Sequence, residues 1–225
     1  IADAHRLFIL EDGAQGFGGM IGNKRACSFG DISTTSFFPA KPLGCYGDGG
    51  AVFTGNDEWA ALADSYRVHG KGMFKYDNVR IGMNSRLDTL QAAILKIKFK
   101  AFREYELRDI NKAAALYTKL LAGRVKTPVT PEGYYSSWAQ YTICLNSREE
   151  RDALQACLKE QGIPSMVYYP TPMHGQTAYK ALNTPTDCCP TAKRLCDTVL
   201  SLPVHPYITE EEIETVCSVI LGFVR

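Results

Sequence analysis

Lys41 stands in a segment whose residue types suit chemistry on a carbonyl group. The segment reads Ser36-Phe-Phe-Pro-Ala-Lys41-Pro-Leu-Gly, and a glycine-rich turn, Gly47-Asp-Gly-Gly50, follows it. A lysine that forms a Schiff base needs such a frame, because its amine must be held at a fixed place beside the aldehyde. Upstream, Asp12 follows the apolar run Leu7–Leu10. An acid, a serine and a lysine in this order can serve the ring nitrogen, the phosphate and the aldehyde carbon of pyridoxal 5′-phosphate (PLP).

Each of these residues also has a simpler interpretation. Lys41 could be an exposed loop lysine, Asp12 could end a strand and cap the next turn, and Ser36 could face solvent. We favour the chemical interpretation for these three, because they occur together. The glycines at 47–50 could form a phosphate-binding loop, but we favour a tight turn that lets the next strand return.

Composition excludes several classes of protein. The chain has 225 residues, 45% of them hydrophobic and 22% charged, as is usual for a globular protein. Its net charge is +1 and its basic residues are scattered, which argues against a nucleic-acid surface. No apolar stretch approaches the roughly 20 residues that span a bilayer. We expect neither a nucleic-acid nor a membrane partner.

The cysteines indicate free thiols in a reducing cytoplasm. None of the eight forms a Cys-x-x-Cys pair, and no paired Cys/His spacing suits a metal, so we predict no metal site. The adjacent pair Cys188–Cys189 precedes Pro190, which favours a loop.

The first half of the chain has the pattern of an α/β domain. Residues 7–10, 31–38 and 50–54 predict strands, the first of them buried on both faces. A helix is expected from Asn56 to about residue 69, then a loop over 70–82 and a long helix over 87–122. After Gly123 the pattern becomes α+β. Strands are predicted at 137–145 and 166–169, helices at 147–162 and 191–200, a loop at 170–190, and a final helix capped by Thr209.

Four motifs in order resemble one family: Glu11-Asp-x-Ala-Gln15, Ser36-Phe-x-x-x-Lys41, Gly47-Asp-Gly-Gly50 and Asn84-Ser-Arg-Leu-Asp-x-x-Gln91-Ala-Ala. Together they are similar to the DegT/DnrJ/EryC1/StrS sugar aminotransferases. The resemblance implies the aspartate aminotransferase fold (fold type I), with the end of a PLP-binding large domain at 1–105 and a small α+β domain at 106–225. It also implies transamination of a keto group on a nucleotide-linked sugar, with glutamate as amino donor.

The resemblance assigns roles to individual residues. Lys41 would carry the Schiff base and act as general acid and base, while Asp12 would pair with the pyridinium nitrogen. Gln15 would donate to the phenolic oxygen and Ser36 to the phosphate. Asn84 would reach the phosphate of a partner subunit's cofactor and Arg86 the substrate's negative charge, which implies a homodimer. Helix capping by Asn84 or Ser85 is the alternative.

A later segment would approach the sugar. Tyr168, Tyr169 and His174 are candidates for substrate contact, with core packing as an equal alternative. Relatives often have His-Tyr-Pro where this chain has Tyr168-Tyr169-Pro170. The segment around Lys41 is most similar to members that aminate C3 of UDP-linked 2-acetamido-3-keto sugar acids for polysaccharide or lipopolysaccharide.

The beginning of the chain differs from the family. Family members have a longer segment before the strand of Asp12, with an aromatic residue on the PLP ring and a Gly-Thr turn at the phosphate. We therefore expect a fragment, and a non-catalytic fragment without cofactor is the second hypothesis. A sugar dehydratase of the same fold is the third, but such relatives have histidine in place of Lys41.

Overall fold

The computed structural model describes residues 1–185 and 187–224. The chain divides into two compact units, one of residues 1–107 and 130–139, the other of residues 108–129 and 140–224. Strands and helices occur in both units, as an α/β chain requires. The predicted domain boundary at 105/106 stays a prediction. None of the helices in the described residues is both long enough and apolar enough to cross a membrane.

The main sheet of the first unit has three strands in the order β1-β4-β5. Strand β1 (Leu10–Asp12) runs parallel to β4 (Ile32–Ser36), and β5 (Gly50–Thr54) runs antiparallel to β4. The predictions at 31–38 and 50–54 are confirmed. The prediction at 7–10 is wrong in position and burial, because the strand begins at Leu10 and the side chains of Leu7 and Phe8 are 59% and 79% exposed.

Three very short strands form a second sheet in this unit. They are β2 (Met20–Ile21), β3 (Lys24–Arg25) and β6 (Tyr134–Tyr135), in the order β3-β2-β6. Two residues are too few to display the alternation that predicts a strand, so the sequence gives no sign of them.

The helices of the first unit lead into the second. After α1 (Ala2–His5), α2 (Asp57–Tyr66) begins at the predicted cap, where the Asn56 side chain accepts from the Trp59 N–H at 3.1 Å. The long helix is confirmed as α3 (Thr89–Ala101) and α4 (Leu107–Leu121), joined by a π-helical turn at Phe102–Glu106. That turn was not predicted.

The core of the first unit lies under the segment that follows Lys41. Leu43, Cys45, Leu95 and Phe102 are buried together. Phe17 packs against them, with its ring 5.9 Å from that of Phe102. Two of these core residues, Leu43 and Cys45, come directly after Lys41 and thus anchor its loop.

The second unit packs most of α4 and three later helices with a two-stranded antiparallel sheet. The strands are β7 (Tyr141–Cys144) and β8 (Val199–Leu202), and the helices are α5 (Arg148–Glu160), α6 (Pro190–Thr198) and α7 (Glu210–Phe223). The Thr209 capping box is confirmed.

Some boundaries in the second unit differ from the predictions. Strand β7 begins at Tyr141, four residues later than predicted, and α6 ends at Thr198 because the chain then enters the fully buried strand β8. At 166–169 only Met166 forms a bridge, with Ser201, so a strand there is wrong. The loop after it contains 3-10 helices at Met173–Gly175 and Thr177–Leu182.

Candidate active site

The parallel strands β1 and β4 bring Asp12 and Ser36 to one edge of the main sheet. Asp12 is the last residue of β1 and lies opposite Thr34, two residues before Ser36 ends β4. Because alternate residues of a strand share a face, Asp12, Thr34 and Ser36 lie on the same face. Ligands of α/β sheets bind at the carboxyl ends of parallel strands, which is where both side chains stand.

The two neighbouring acids of β1 have different environments. The Glu11 carboxylate accepts four hydrogen bonds, at 2.6, 2.7, 3.1 and 3.0 Å, from the N–H groups of Cys27, Phe29 and Gly30 and from the Ser33 hydroxyl. Partial burial alone raises its pKa, but these hydrogen bonds outweigh that effect and hold the pKa of Glu11 below the ordinary 4.5. Glu11 therefore orders the loop before β4.

Asp12 is the acid that remains available for chemistry. Its side chain is exposed, and its Oδ1 accepts from the backbone N–H of Ala14 at 3.0 Å. This local bond holds the carboxylate at the strand end through Oδ1. The different environments of Glu11 and Asp12 follow from the alternation of side chains along a strand, and the predicted role of Asp12 at a ring nitrogen stays a prediction.

The loop that carries Lys41 is closed by its own backbone. The Lys41 N–H donates to the Phe38 carbonyl at 2.9 Å, and the Cys45 N–H donates to the Phe37 carbonyl at 2.8 Å. A Cβ on Gly44 would lie 2.5 Å from the Pro39 carbonyl oxygen, so only glycine allows this close approach. The half-buried Lys41 is thus displayed on a tight loop.

Gln91 fastens the end of this loop to α3. Its Oε1 accepts from the Tyr46 N–H at 2.8 Å. No role was predicted for Gln91, although it belongs to the fourth family motif, and that membership was the available signal. The glycines at 47–50, which follow the Lys41 loop, form the predicted turn. The Gly49 carbonyl accepts from Phe37 N–H at 2.7 Å, and Gly50 begins β5 opposite Ser36.

Ser36 and Gln15 keep donor groups for a ligand. Ser36 Oγ accepts from the Phe38 N–H at 3.2 Å, so its own O–H proton can be donated elsewhere. The Gln15 side chain is exposed, and its backbone carbonyl accepts from the Ser137 hydroxyl at 3.2 Å. Their cofactor contacts stay predictions.

Asn84 and Arg86 lie on a cleft of about 1000 Å³ in the first unit, lined by residues 34–35 of β4, by β5, by part of α2 and by residues 48–49 and 84–87. Main-chain bonds hold this segment against residues 66–69, including Ser85 N–H to the Arg67 carbonyl at 2.9 Å. The alternative of capping is wrong, because Asp88 is the N-cap residue of α3. Asp12, Ser36 and Lys41 are not among the described residues lining this cleft.

The candidates for sugar contact belong to the second unit. Tyr168 and Tyr169 are 38% and 59% exposed, with their rings 5.5 Å apart edge to face, so core packing is wrong for both. His174 is half-buried. Its imidazole lies near the thiols of Cys188 and Cys189, with the possible ligand atoms all within 4.8 Å of one another. Motif spacing did not predict this cluster, because His174 lies well before Cys188 and Cys189 in the chain.

Residues 1–221 match the family described as DegT/DnrJ/EryC1/StrS aminotransferase. The chain belongs to this family. The predicted fold is confirmed as well: the chain has the PLP-dependent transferase fold of type I, since a family aminotransferase from Brucella abortus is 46% identical with a TM-score of 0.93. That similarity covers 99% of this chain and 59% of the other.

Curated relatives are nearly as similar in sequence as the Brucella abortus protein. A Pseudomonas aeruginosa protein named UDP-2-acetamido-2-deoxy-3-oxo-D-glucuronate aminotransferase is 41% identical over 97% of this chain and 59% of its own length. A Geobacillus stearothermophilus protein named pleiotropic regulatory protein is 42% identical over 100% of this chain and 60% of its own length. The chain thus spans about three fifths of the length of these relatives.

Proposed function

We propose that this chain carries the lysine-bearing part of a PLP-dependent aminotransferase that acts on a keto group of a nucleotide-linked sugar. The observation that carries the proposal is the edge of the main sheet. There Asp12 and Ser36 end two neighbouring parallel strands on one face, and the tight loop of Lys41 follows directly. Family membership over residues 1–221 supports the same chemistry.

The residues at this edge fit PLP by their chemistry. The exposed Asp12 carboxylate can accept from a protonated ring nitrogen, and the Ser36 hydroxyl has a proton to donate to a phosphate. Lys41 offers an amine on a loop whose backbone is braced at both ends. These are the acid, the donor and the nucleophile that the cofactor requires.

Bound PLP supplies an electron sink for the carbon that exchanges its amino group. Lys41 Nζ would form the covalent link to the aldehyde carbon, and its released amine would move the proton at the reacting carbon. Asp12 would keep the ring nitrogen protonated, Ser36 and the partner's Asn84 would orient the phosphate, and Gln15 would donate to the phenolic oxygen. Arg86 would meet the substrate's negative charge in the shared site of a homodimer.

The substrate class follows from the relatives. The Pseudomonas aeruginosa protein is named for a UDP-linked 2-acetamido-3-oxo sugar acid, which is the substrate class that the segment around Lys41 predicts. We infer a similar 3-keto sugar nucleotide here, with glutamate as donor, in cytoplasmic synthesis of surface polysaccharide or lipopolysaccharide. Tyr168 and Tyr169 are exposed and offer phenol groups for sugar contact.

Borohydride trapping tests the proposal. The chain is incubated with PLP, reduced and mapped by peptide mass, and we expect a single pyridoxyl adduct on Lys41. Lys41→Arg should abolish it, whereas Lys75→Arg, a change at an exposed loop lysine, should leave it intact. Label scattered over surface lysines would refute an active-site lysine in this chain. It would favour the non-catalytic alternative.

Turnover then decides the substrate. A sample that forms the Lys41 adduct is assayed with glutamate and with 3-keto and 4-keto UDP sugars. Amination at C3 is expected, and activity confined to C4 would overturn the substrate assignment while leaving the role of Lys41 in place.

A further inference from the structure

A cluster of metal-ligating side chains lies in the second unit. It consists of His174, in the 3-10 helix Met173–Gly175, and of Cys188 and Cys189, which precede α6. The imidazole nitrogen and both sulfur atoms lie within 4.8 Å of one another. The two Sγ atoms are 3.6 Å apart, and both cysteines are free and exposed.

These distances suit a tetrahedral ion. Zn²⁺ binds thiolate sulfur at about 2.3 Å and imidazole nitrogen at about 2.0 Å in tetrahedral geometry. Two sulfur ligands at that bond length would stand roughly 3.8 Å apart, which is the edge of such a tetrahedron. The observed separation of 3.6 Å is therefore close to that of a loaded site, and only a small adjustment of the side chains is needed.

We propose that His174, Cys188 and Cys189 form a Zn²⁺ site. The three side chains would supply three tetrahedral ligands, and solvent would supply the fourth because both thiols are exposed. The chemistry selects zinc over magnesium or calcium, since two sulfurs and one nitrogen are softer ligands than those hard ions accept. This assignment replaces the predicted absence of a metal, and gives His174 a role other than sugar contact.

The site would also close a loop. His174 lies at one end of the segment that contains the 3-10 helix Thr177–Leu182, and the two cysteines lie at the other end. A metal that joins the two ends removes conformational freedom from the chain between them. Lys180 lies inside that segment and is exposed, so trypsin can report on the closure.

Cobalt substitution tests the coordination. The chain, kept reduced with a phosphine that does not compete for the ion, is titrated with Co²⁺ and then with Zn²⁺. We expect one equivalent of Co²⁺ to give visible bands of tetrahedral strength and a thiolate charge-transfer band in the near ultraviolet, both displaced by Zn²⁺. A weak octahedral spectrum without the thiolate band would overturn the proposal.

Variants locate the site. Cys188→Ser, Cys189→Ser and His174→Gln should each lower zinc affinity by more than the roughly 10- to 100-fold that loss of an outer-shell partner causes. Cys157→Ser, a change at a half-buried thiol of α5, should leave affinity unchanged. Zinc should slow tryptic cleavage after Lys180 in the unaltered chain and not in Cys188→Ser. Equal zinc affinity in all variants would refute the site. The test does not depend on PLP binding, so it stands apart from the proposed function.

Discussion

Replacing Glu11 by Gln separates the structural acid of β1 from Asp12, the acid that we propose for the cofactor. The substitution keeps the shape of the side chain and removes its charge. In the native chain Glu11 Oε2 accepts from Phe29 N–H, Gly30 N–H and the Ser33 hydroxyl, while Oε1 accepts from Cys27 N–H at 2.6 Å. A glutamine whose oxygen takes the Oε2 position would point its NH₂ group at the Cys27 N–H, and donor would face donor.

The expected loss of unfolding free energy follows from these four hydrogen bonds. A hydrogen bond to a charged group contributes about 1.5–3 kcal/mol and a neutral one about 0.5–1.5 kcal/mol, so each of the three retained bonds weakens by about 1 kcal/mol. The fourth is lost. Because the carboxylate is only partly buried, water replaces some of what is lost, and we expect Glu11→Gln to cost about 2–3 kcal/mol of unfolding free energy.

Asp12→Asn is the matched control. Its single described bond, from Ala14 N–H to Oδ1, can be kept by the asparagine oxygen, so we expect a change within about 0.5 kcal/mol. Urea unfolding followed by tryptophan fluorescence measures both. The two tryptophans, Trp59 and Trp138, lie in the first unit, so the signal reports the unit that contains Glu11.

The direction of the Glu11 pKa shift determines how the stability of the chain depends on pH. The folded state lowers the pKa of Glu11 below 4.5, so its carboxylate contributes stability that is fully present above pH 4.5 and is lost as the pH falls through the folded pKa. Glutamine has no such titration. The stability difference between the two proteins should therefore shrink below pH 4.5. Equal stability of Glu11→Gln and Asp12→Asn at neutral pH, or a difference between native chain and Glu11→Gln that does not shrink as the pH falls below 4.5, would refute the reasoning.

Two further predictions concern packing and capping. Gly44→Ala should lower the free energy of unfolding by about 1–3 kcal/mol and abolish the Lys41 adduct, because the new Cβ meets the Pro39 carbonyl at 2.5 Å. Gly55 has open space around it, so Gly55→Ala should change neither the unfolding free energy nor the adduct in the same fluorescence and trapping assays. Thr209→Ala should cost about 1 kcal/mol in thermal unfolding followed by circular dichroism, because it breaks the capping box of α7. Thr215→Ala, within the helix, should cost less, and an equal loss would count against the cap.

The parts of the fold that sequence could predict are those with a repeated pattern. The run of β-branched and aromatic residues at 31–38 and the helical spacing after residue 87 extend over enough residues to specify β4 and the α3–α4 helix. Asn56 and Thr209 could be recognised as N-cap residues of α2 and α7, because their side chains accept hydrogen bonds from backbone N–H groups of the first turn. The two-residue strands of the second sheet and the start of β1 at Leu10 depend on pairing partners elsewhere in the chain, which no local pattern contains.

The candidate site shows the same difference between local patterns and contacts that only the folded chain makes. Asp12, Ser36 and Lys41 could be named as candidates because each lies at the end of a strand or in a loop with distinctive neighbours, and their roles at a cofactor stay predictions. The role of Glu11 could not, because it depends on three backbone N–H groups in the loop 27–30 that only the folded chain brings to the carboxylate. The hydrogen bond from Tyr46 N–H to Gln91 likewise joins positions 45 residues apart.

The cluster of His174, Cys188 and Cys189 shows why spacing rules miss some metal sites. Those rules describe ligands that stand on one helix or one short turn, where the covalent chain itself sets the distance between them. Here the 3-10 helix Thr177–Leu182 lies between the imidazole and the thiols, and the path of that loop brings the ligand atoms within 4.8 Å of one another. The adjacent cysteines contribute a sulfur pair whose separation of 3.6 Å is close to a tetrahedral edge. The histidine is the ligand that folding must deliver. His174→Gln therefore tests the contribution of the loop's path, whereas the two cysteine variants test the sulfur pair, and a site that needs all three is one that only the folded loop can form.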